Sequence, residues 1–521
     1  MDADVLVVGA GPTGLMLANQ LARQGVRVSI IDRHSGPAVQ TRALGVQART
    51  LEIYAHLGIV ESALALGKRA TGADMWALGV RRARVPFGDI GRGLTPYPFV
   101  LILGQDDNER LLGESLQKRG VTIGWNTELV GLTQESDRVV ATLKQSDGTT
   151  RTFSTAWVGG CDGARSAVRE LNGIAFVGEP YEQVFFVADT QMTGPMVPEE
   201  VNVYLWPQGF HLFFPMRGAD HWRLVGIVPP ELRGRDDLTL DDVVSSIRKE
   251  AGAGLVFQSC SWFSTYRIHH RRAERFRDRR CFVLGDAAHI HSPVGAQGMN
   301  TGLQDAYNLA WKLGLVVSGA AGVGLLDSYA IERLPVASRL LSTTDRLFAF
   351  VVSRGKLAGL LRTRMLPKML AFAMSLERIR HIAFRTISQT GIAYRGSPLS
   401  ETLTGLPSTA PRAGDRFPWL KLSTGGAAED IFATLDDTRF TLILMGQAPP
   451  ANVPSFGGRL VTLVVPNDPA NAVELGRAHI PLPAFYLVRP DGHIGLCGTR
   501  FDSAALARYL SERLSLRANS P

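Results

Sequence analysis

Residues 5–32 read VLVVGAGPTGLMLANQLARQGVRVSIID. The apolar run at 5–8 is typical of a parallel strand that is buried on both faces. Three glycines spaced as GAGPTG (residues 9–14) then precede a stretch with helical apolar spacing, which predicts a helix to about Arg23. VRVSIID predicts a second strand that ends at Asp32. This order of strand, glycine-rich turn, helix, strand and acid predicts an α/β, Rossmann-like fold that binds a dinucleotide.

Each glycine of the turn has a separate task. Gly9 permits the tight turn, Gly11 lets the backbone approach a pyrophosphate, and Gly14 lets the helix pack closely on the strand. Asp32, eighteen residues after Gly14, is placed to hold the ribose hydroxyls of an adenosine, although an acid at a strand end can also be an ordinary surface residue. A 2′-phosphate would clash with this carboxylate, so FAD or NAD is favoured over NADP as the resident dinucleotide.

A later stretch, GDAAHIHSPVGAQGMN (residues 285–300), lies between the apolar run CFVL and a predicted helix. Asp286, His289 and His291 are metal-ligand types, so a metal site is one interpretation. A nucleotide cofactor is the other, and it is favoured because no further cluster of ligand residues supports the metal.

Composition excludes several classes of protein. A chain of 521 residues is too long for a single hydrophobic core, so two or three domains are expected. The composition, with 45% hydrophobic and 20% charged residues, excludes a disordered protein. The net charge of +8 is dispersed, so we expect an anionic small ligand and no nucleic acid. The four cysteines form no C-x-x-C pair, which predicts a reducing cytoplasm. Residues 5–22 carry no charge, but Pro12 and the glycines argue against a membrane span or signal peptide.

Three motifs in this order, GAGPTG, CDGARSAVR (residues 161–169) and GDAAHIHSPVGAQGMN, resemble the group A FAD-dependent aromatic-ring hydroxylases, which have the para-hydroxybenzoate hydroxylase fold. The most similar subgroup is the phenol and polyketide hydroxylases, including pentachlorophenol monooxygenase and 3-(3-hydroxyphenyl)propionate hydroxylase. The resemblance implies an FAD-dependent monooxygenase that uses NADPH or NADH and dioxygen to hydroxylate an aromatic ring through a flavin hydroperoxide. The resemblance does not imply a particular catalytic acid or base.

The resemblance also implies roles for individual residues. Asp286 is expected to hydrogen-bond the ribityl chain of FAD, and the start of the following helix is expected to point its positive end at the pyrimidine side of the flavin. His289 and His291 then become packing or hydrogen-bonding residues. The complete set of expected FAD contacts is Gly9, Gly11, Pro12, Thr13, Gly14, Asp32, Arg33, Arg42, Gln105, Asp162, Asp286, Pro293, Gly298, Met299 and Asn300.

We expect three domains. Residues 1–180 with 281–395 would form a discontinuous FAD-binding domain, and 181–280, where short aromatic and β-branched runs alternate with turns, would form an inserted antiparallel substrate-binding sheet. Residues 400–521 would form a thioredoxin-like domain that lacks C-x-x-C. Candidate substrate contacts, each of which could instead be core, are Tyr204, Trp206, His211, Phe213 and Arg223.

Other functions stay open at this point. A Baeyer–Villiger oxygenase or an epoxidase can use the same fold, and so can a flavin-binding sensor or assembly protein without turnover. The expected partners are a small aromatic substrate and dioxygen, with no membrane span. A homodimer, the identity of the substrate and the choice between NADPH and NADH are undecided by the sequence.

Overall fold

The computed structural model describes residues 1–521 except 39–42, 208, 253, 292–296, 353–354, 356–358, 425–428, 451–452, 454–455 and 517–521. Two of the residues predicted to contact the cofactor, Arg42 and Pro293, lie outside the described residues.

Helices and strands are mixed along the whole chain. The part before residue 195 contains β1 (Ala3–Val8), α1 (Pro12–Arg23), β2 (Val28–Ile31), β3 (Gly45–Val46), α2 (Ala48–Leu57), α3 (Val60–Leu66), β4 (Lys68–Ala70), β5 (Gly72–Ala77), β6 (Val80–Pro86), α4 (Phe87–Ile90), β7 (Val100–Ile102), α5 (Gln105–Gln117), β8 (Ile123–Gly124), β9 (Thr127–Gln134), β10 (Val139–Gln145), β11 (Thr150–Gly160), α6 (Ala167–Leu171) and β12 (Phe176–Thr193). The middle part contains β13 (Val201–Trp206), β14 (Gly209–Pro215), β15 (His221–Ile227), α7 (Leu240–Ala251), β16 (Val256–Ala273), β17 (Arg277–Asp278), β18 (Cys281–Val283), β19 (His289–Ile290), α8 (Gly298–Val317), α9 (Asp327–Val352), α10 (Leu366–Ala373) and α11 (Glu377–Ile387). The last part contains β20 (Glu401–Thr402), β21 (Lys421–Leu422), β22 (Glu429–Asp430), α12 (Ile431–Thr434), β23 (Phe440–Met445), β24 (Leu460–Val465), α13 (Ala472–Arg477), β25 (Ala484–Val488), β26 (Ile494–Gly498) and α14 (Ser503–Arg508).

The first sheet is built on β1, whose residues Val5–Val7 are completely buried. Its path is β17-β18-β11-β1-β2-β8, with β10 and β9 added beside β11. The pairs β11–β1, β1–β2 and β11–β18 are parallel, so the carboxyl ends of these strands meet at one edge. The predicted strand, turn, helix and strand of residues 5–32 are therefore confirmed.

The second sheet has the path β19-β16-β12-β15-β14-β13-β5-β6. Strands β13, β14 and β15 confirm the three aromatic runs predicted as strands. Two features differ from the expected antiparallel insert at 181–280. The hairpin Gly72–Pro86 joins this sheet from the N-terminal part of the chain, and β5 pairs with β13 in parallel. A strand pairing over more than a hundred residues leaves no local pattern in the sequence.

The third sheet lies in the C-terminal part of the chain. Its path is β20-β26-β25-β23-β24, in which β23 and β24 are parallel and β25 is antiparallel to both β23 and β26. The runs FTLILM, LVTLVV and AFYLV form β23, β24 and β25, as their composition predicts. The helices predicted after Asp327 are also present, as α9, α10 and α11. Among the described residues, no helix is both long and apolar enough to cross a membrane.

A buried network of charges joins the third sheet to the helices of the first. Lys312 of α8 donates to Glu332 of α9 at 2.7 Å, and Arg489, which follows β25, donates to Glu332 at 2.6 Å. Arg489 also pairs with Asp491. These side chains are almost completely excluded from solvent. The C-terminal part is therefore fixed to the rest of the molecule through buried ion pairs. Water can reach these charges only if the two parts separate.

Replacement of Glu332 should destabilise the whole chain. Glu332→Ala leaves Lys312 buried without its acidic partner and removes one acid from Arg489, which should cost about 3–5 kcal/mol. We expect a clear fall in the melting temperature followed by circular dichroism. Glu377→Ala, at the exposed start of α11, is the control and should change stability by at most about 0.5 kcal/mol. Equal melting temperatures for the two variants would contradict the assignment.

The same network predicts how stability depends on pH. Burial alone would raise the pKa of Glu332, but Arg489 and Lys312 outweigh it and hold this pKa well below its usual range. The contribution of Glu332 is then complete above the unfolded pKa of about 4.3 and is lost as the pH falls below it. Glu332→Ala should accordingly lose less stability between pH 6 and pH 3 than the wild type, measured by melting temperature.

Candidate functional site

A cleft of about 740 Å³ opens at the carboxyl edge of the first sheet. It is lined by the ends of the neighbouring strands β1, β2 and β11 and by the first turn of α5. Ligands of open α/β sheets bind at this edge, because helix N-termini and strand ends converge there. The predicted residues Gly9, Gly11, Asp32, Arg33, Gln105 and Asp162 all line the cleft.

The glycine-rich turn has the geometry that its sequence predicts. Gly9 has φ +102°, and a Cβ there would overlap the carbonyl oxygen of Cys161. A Cβ at Gly14 would overlap the carbonyl oxygen of Gly9. Gly11 differs, because a Cβ there would meet only the Glu109 carboxylate, at 4.0 Å, and would otherwise point into open space. Gly9 and Gly14 are therefore required by packing, whereas Gly11 leaves room for a ligand.

The N-terminus of α1 is open toward this turn. Gly11 is the N-cap residue, Pro12 follows it, and α1 has neither a side-chain cap nor an acidic residue in its first turn. The unpaired N–H groups and the positive end of the helix dipole suit an anion. Together with the space beside Gly11, this arrangement fits the pyrophosphate of FAD.

Asp32 braces the glycine-rich turn. Its Oδ2 accepts the backbone N–H of Ala10 at 2.7 Å, and its Oδ1 accepts the backbone N–H of His34 at 2.8 Å. A carboxylate has about four acceptor positions, so Asp32 retains capacity for a ribose hydroxyl. The residue thus shapes the turn and lines the cleft, and its predicted contact with the adenosine ribose stays a prediction.

Glu109 is a residue of the cleft that the sequence analysis missed. Gln105 donates to its Oε1 at 2.8 Å, and the backbone N–H of Ala38 donates to its Oε2 at 2.9 Å. Burial raises the pKa of Glu109. A local signal exists, because Glu109 stands four residues after Gln105 on a predicted helix and such positions are neighbours. Glu109 therefore orients Gln105, the predicted FAD contact.

The second motif is held by its own helix and by the third motif. Asp162 accepts from the Ser166 hydroxyl at 2.5 Å and from the backbone N–H of Val168 at 3.1 Å, so it caps the start of α6. Arg169 is buried and donates to the carbonyl oxygens of Ala164 and Ala287. The predicted contact of Asp162 with the nucleotide stays a prediction, while Arg169 joins the two motifs.

Asp286 lies in a turn that Gly285 makes possible. Gly285 has φ +57°, and a Cβ there would lie 2.5 Å from the Thr13 hydroxyl. Asp286 is exposed to solvent, although the surrounding protein desolvates its carboxylate and raises its pKa. Within the part of the chain that the structure describes, Asp286 has no hydrogen-bond partner. An accessible, unpaired carboxylate fits the hydroxyls of a ribityl chain.

Behind Asp286, the buried carboxylate of Asp305 organises the third motif. It accepts from Arg333 at 2.6 Å and from the backbone N–H of Gly285 at 3.1 Å, and it pairs with His289 at 2.7 Å. Asp305 was not predicted as a site residue, although an acid within an apolar helix indicates a buried partner. His289 is thus a hydrogen-bonding residue. Among the described residues, no group of three or more His, Cys, Asp or Glu side chains could hold a metal ion.

The start of α8 is fixed by Asn300. Its Oδ1 accepts from the backbone N–H of Gln47 at 2.9 Å, and its amide donates to the carbonyl oxygen of Gly45 at 2.7 Å. This side chain is therefore bound to protein, and a contact with FAD could come only from the backbone. Met299 is half-buried, and Gly298, which begins the helix, lies against the ring of His291. α8 has no side-chain cap and no acidic residue in its first turn, so its positive end is available to a flavin.

The predicted substrate contacts lie in the second sheet, but mostly on the face that α7 covers. Tyr204 packs between Trp76 and Phe213, in one core cluster with the apolar residues of α7. His211 pairs with Glu250 of α7 at 2.7 Å, and Trp206 stacks on His211. These positions favour a core role for Tyr204, Trp206, His211 and Phe213 over substrate contact.

Arg223 has a different environment from the other four. It lies in β15 and makes two hydrogen bonds of 2.5 Å to Asp189 of β12. Its guanidinium also lies over the ring of Trp262. The charge of Arg223 is therefore already matched inside the sheet.

The chain is similar in sequence and in structure to known monooxygenases and hydroxylases. Residues 2–344 match the family model described as FAD binding domain. The chain is 34% identical to 6-methylpretetramide 4-monooxygenase of Streptomyces rimosus, over 97% of this chain and 92% of that protein. It is 34% identical to pentachlorophenol 4-monooxygenase of Sphingobium chlorophenolicum, over 68% and 66% of the two chains. Among solved structures, aklavinone-11 hydroxylase in complex with FAD and aklavinone superposes with a TM-score of 0.81 at 26% identity, over 99% of both chains.

The glycines of the turn should separate cofactor binding from folding. Gly11→Ala places a methyl group in open space, so the apoprotein should melt as the wild type does while its affinity for FAD falls at least tenfold, about 1.4 kcal/mol. Gly14→Ala forces an overlap within the fold and should destabilise the apoprotein by about 1–3 kcal/mol. Melting of the apoproteins and titration with FAD measure both effects. Identical behaviour of the two variants would refute the distinction.

Asp286 should contribute to FAD affinity without contributing to the fold. Asp286→Ala removes an accessible carboxylate that has no described protein partner, so FAD binding should weaken by about tenfold or more, as for hydrogen bonds to a charged group. Quenching of FAD fluorescence by the apoprotein measures the affinity. Asp107→Ala, on the exposed side of α5, is the control and should bind FAD as the wild type does. Unchanged affinity in Asp286→Ala would remove this residue from the site.

Proposed function

Because the chain belongs to the FAD binding domain family, we propose that it is an FAD-dependent monooxygenase that hydroxylates a phenolic or polyketide-type aromatic ring with NADPH or NADH and dioxygen. The observation that carries the proposal is the cleft at the edge of the first sheet, which the first two motifs line and on which the third motif borders through its contacts with Thr13 and Arg169. The chain is also similar over nearly its whole length to 6-methylpretetramide 4-monooxygenase.

Bound FAD would supply the chemistry that splits dioxygen and transfers one oxygen atom to the ring. The chain supplies binding and orientation. Gly11 and the N-terminus of α1 would hold the pyrophosphate, and Asp32 the adenosine ribose. Asp286 would hold the ribityl chain, and the uncapped start of α8 would favour negative charge on the ring system.

We place the aromatic substrate on the face of the second sheet that α7 leaves free. This face carries Val203, Phe214 and Met216, which are only partly buried and pack near Leu370 and Met374 of the α10 region. An apolar wall of this kind suits a flat aromatic ligand and excludes water from the reacting atoms. No catalytic acid or base is assigned, because the wall is apolar.

We also propose the three-domain division, with the hairpin Gly72–Pro86 added to the substrate-binding sheet. For residues 400–521 a thioredoxin-like domain is supported by the order β26-β25-β23-β24, in which one parallel pair adjoins an antiparallel pair. A redox role is not part of the proposal. The sequence contains no C-x-x-C there, and burial raises the pKa of Cys497 to about 11.

A cytoplasmic location belongs to the same proposal. All four cysteines are free, and Cys260 is exposed to solvent. Free thiols of this kind persist in a reducing compartment.

Oxidation of NADPH and NADH in air tests the proposed function. Purified holoenzyme should oxidise one or both nucleotides faster when given an aromatic probe, and the product should gain the mass of one oxygen atom. Suitable probes are 6-methylpretetramide and aklavinone, which the names of the similar proteins contain. Oxygen inserted into a carbon–carbon bond would indicate a Baeyer–Villiger oxygenase instead. Bound FAD that neither nucleotide reduces with any probe would indicate a flavin sensor.

A further inference from the structure

A second cleft, of about 960 Å³, lies between α9, the end of α11 and the turn-rich segment that leads into the third sheet. It shares no lining residue with the cleft at Gly9–Gly14. Its volume is at the upper end of the range for small-molecule sites. The proposed function does not use this cleft.

The lining of the second cleft is positively charged. Five arginines line it, against the two carboxylates Glu332 and Asp415. Both carboxylates are already neutralised, Glu332 by Lys312 and Arg489 and Asp415 by Arg395. The five arginines are Arg339, Arg385, Arg395, Arg416 and Arg477.

Three of these arginines have acidic partners. Arg395 pairs with Asp415, Arg416 with Glu52, and Arg477 with Glu474. Arg339 of α9 and Arg385 of α11 are exposed, and no acidic side chain among the described residues lies within ion-pair distance of either. Two guanidinium groups, carried by two different helices, are therefore available to an anionic ligand.

A further unused donor belongs to Trp419. This residue lines the cleft, and its indole N–H is buried without a hydrogen-bond partner in the described chain. Thr386, Ser408 and Thr409 add hydroxyl groups to the lining. A ligand that matches this wall has many acceptor oxygens and a flat ring, which are the features of a nucleotide.

The second cleft is joined to the start of α8. The side-chain amide of Gln297, the residue before α8, donates to the carbonyl oxygen of Thr386 at 3.0 Å. Gln389, beyond the end of α11, donates to the Thr301 hydroxyl at 2.8 Å. The wall that carries Arg385 is thus held directly against the helix end assigned to the flavin.

We propose that the second cleft binds the reduced pyridine nucleotide, with its phosphates on Arg339 and Arg385 and one of its rings beside Trp419. The inference rests on the proposed function, because a monooxygenase of this kind consumes one NADPH or NADH in each turnover. The reduced nucleotide needs a site of its own, because the glycine-rich dinucleotide-binding motif of the sequence is already assigned to FAD.

Equilibrium binding to the holoenzyme tests this directly, without requiring turnover. Titration calorimetry with NADP⁺ and NAD⁺ should show a Kd at least tenfold higher in the double variant Arg339→Ala/Arg385→Ala than in the wild type, with unchanged FAD content. Trp419→Phe keeps a ring but removes the N–H group, and it should raise the Kd by a smaller factor. Arg138→Ala, in the exposed β9–β10 hairpin, is the control and should bind as the wild type does.

The outcomes separate the two proposals. A Kd within twofold of the wild type in the double variant would overturn the nucleotide site, whatever the enzyme hydroxylates. Inorganic phosphate that binds as tightly as NADP⁺ would also overturn it, in favour of a simple anion site. Tight binding that depends on both arginines, together with a flavin that the reduced nucleotides do not reduce, would support the site and contradict the proposed function.

Discussion

Close packing of α1 against α8 is the constraint on which the candidate site depends. The Thr13 side chain occupies the space between Gly285 and Gly302, and a Cβ at either glycine would press on its hydroxyl. The N-terminal turns of the two helices can approach only because both glycines lack side chains. The first and third motifs, nearly three hundred residues apart, are thereby packed against each other.

Buried charge then fixes the parts around this contact. Asp305, Asn308 and Lys312 lie on one face of α8, where Asp305 holds Arg333 and His289 and Lys312 holds Glu332. Arg489 extends the network into the C-terminal part. Although removal of one partner is costly, replacement of a whole buried ion-pair network by well-packed apolar residues often leaves stability unchanged, so we regard the network as a device that fixes one arrangement of the parts. The second cleft exists because this arrangement sets the C-terminal segment beside α9 and α11.

In the second sheet, a covering helix determines which face of the strands is buried in the core. Its strands carry aromatic residues on both faces, and α7 covers the face of Tyr204 and Phe213. The face of Val203 and Phe214 is turned toward α10 and the loops near the first sheet. The aromatic residues most prominent in the sequence therefore lie on the covered face, and the opposite face is the one on which we propose the substrate pocket.

The sequence by itself determined the local parts of the fold and the class of cofactor. GAGPTG and GDAAH contain glycines with positive φ, which only glycine adopts readily, and Asp32 ends the strand that follows the first turn and helix, so the order and spacing of these residues predict their geometry. Tertiary structure alone decided the pairing of β5 with β13, the link of Arg489 to Glu332 and the burial of Asn300 against Gly45. Alternation of apolar and polar residues along a strand indicates that the strand has two different faces. A buried arginine indicates that its charge needs an acidic partner. Neither pattern identifies the distant segment that covers the face or supplies the charge, because that choice is made by packing across the whole chain.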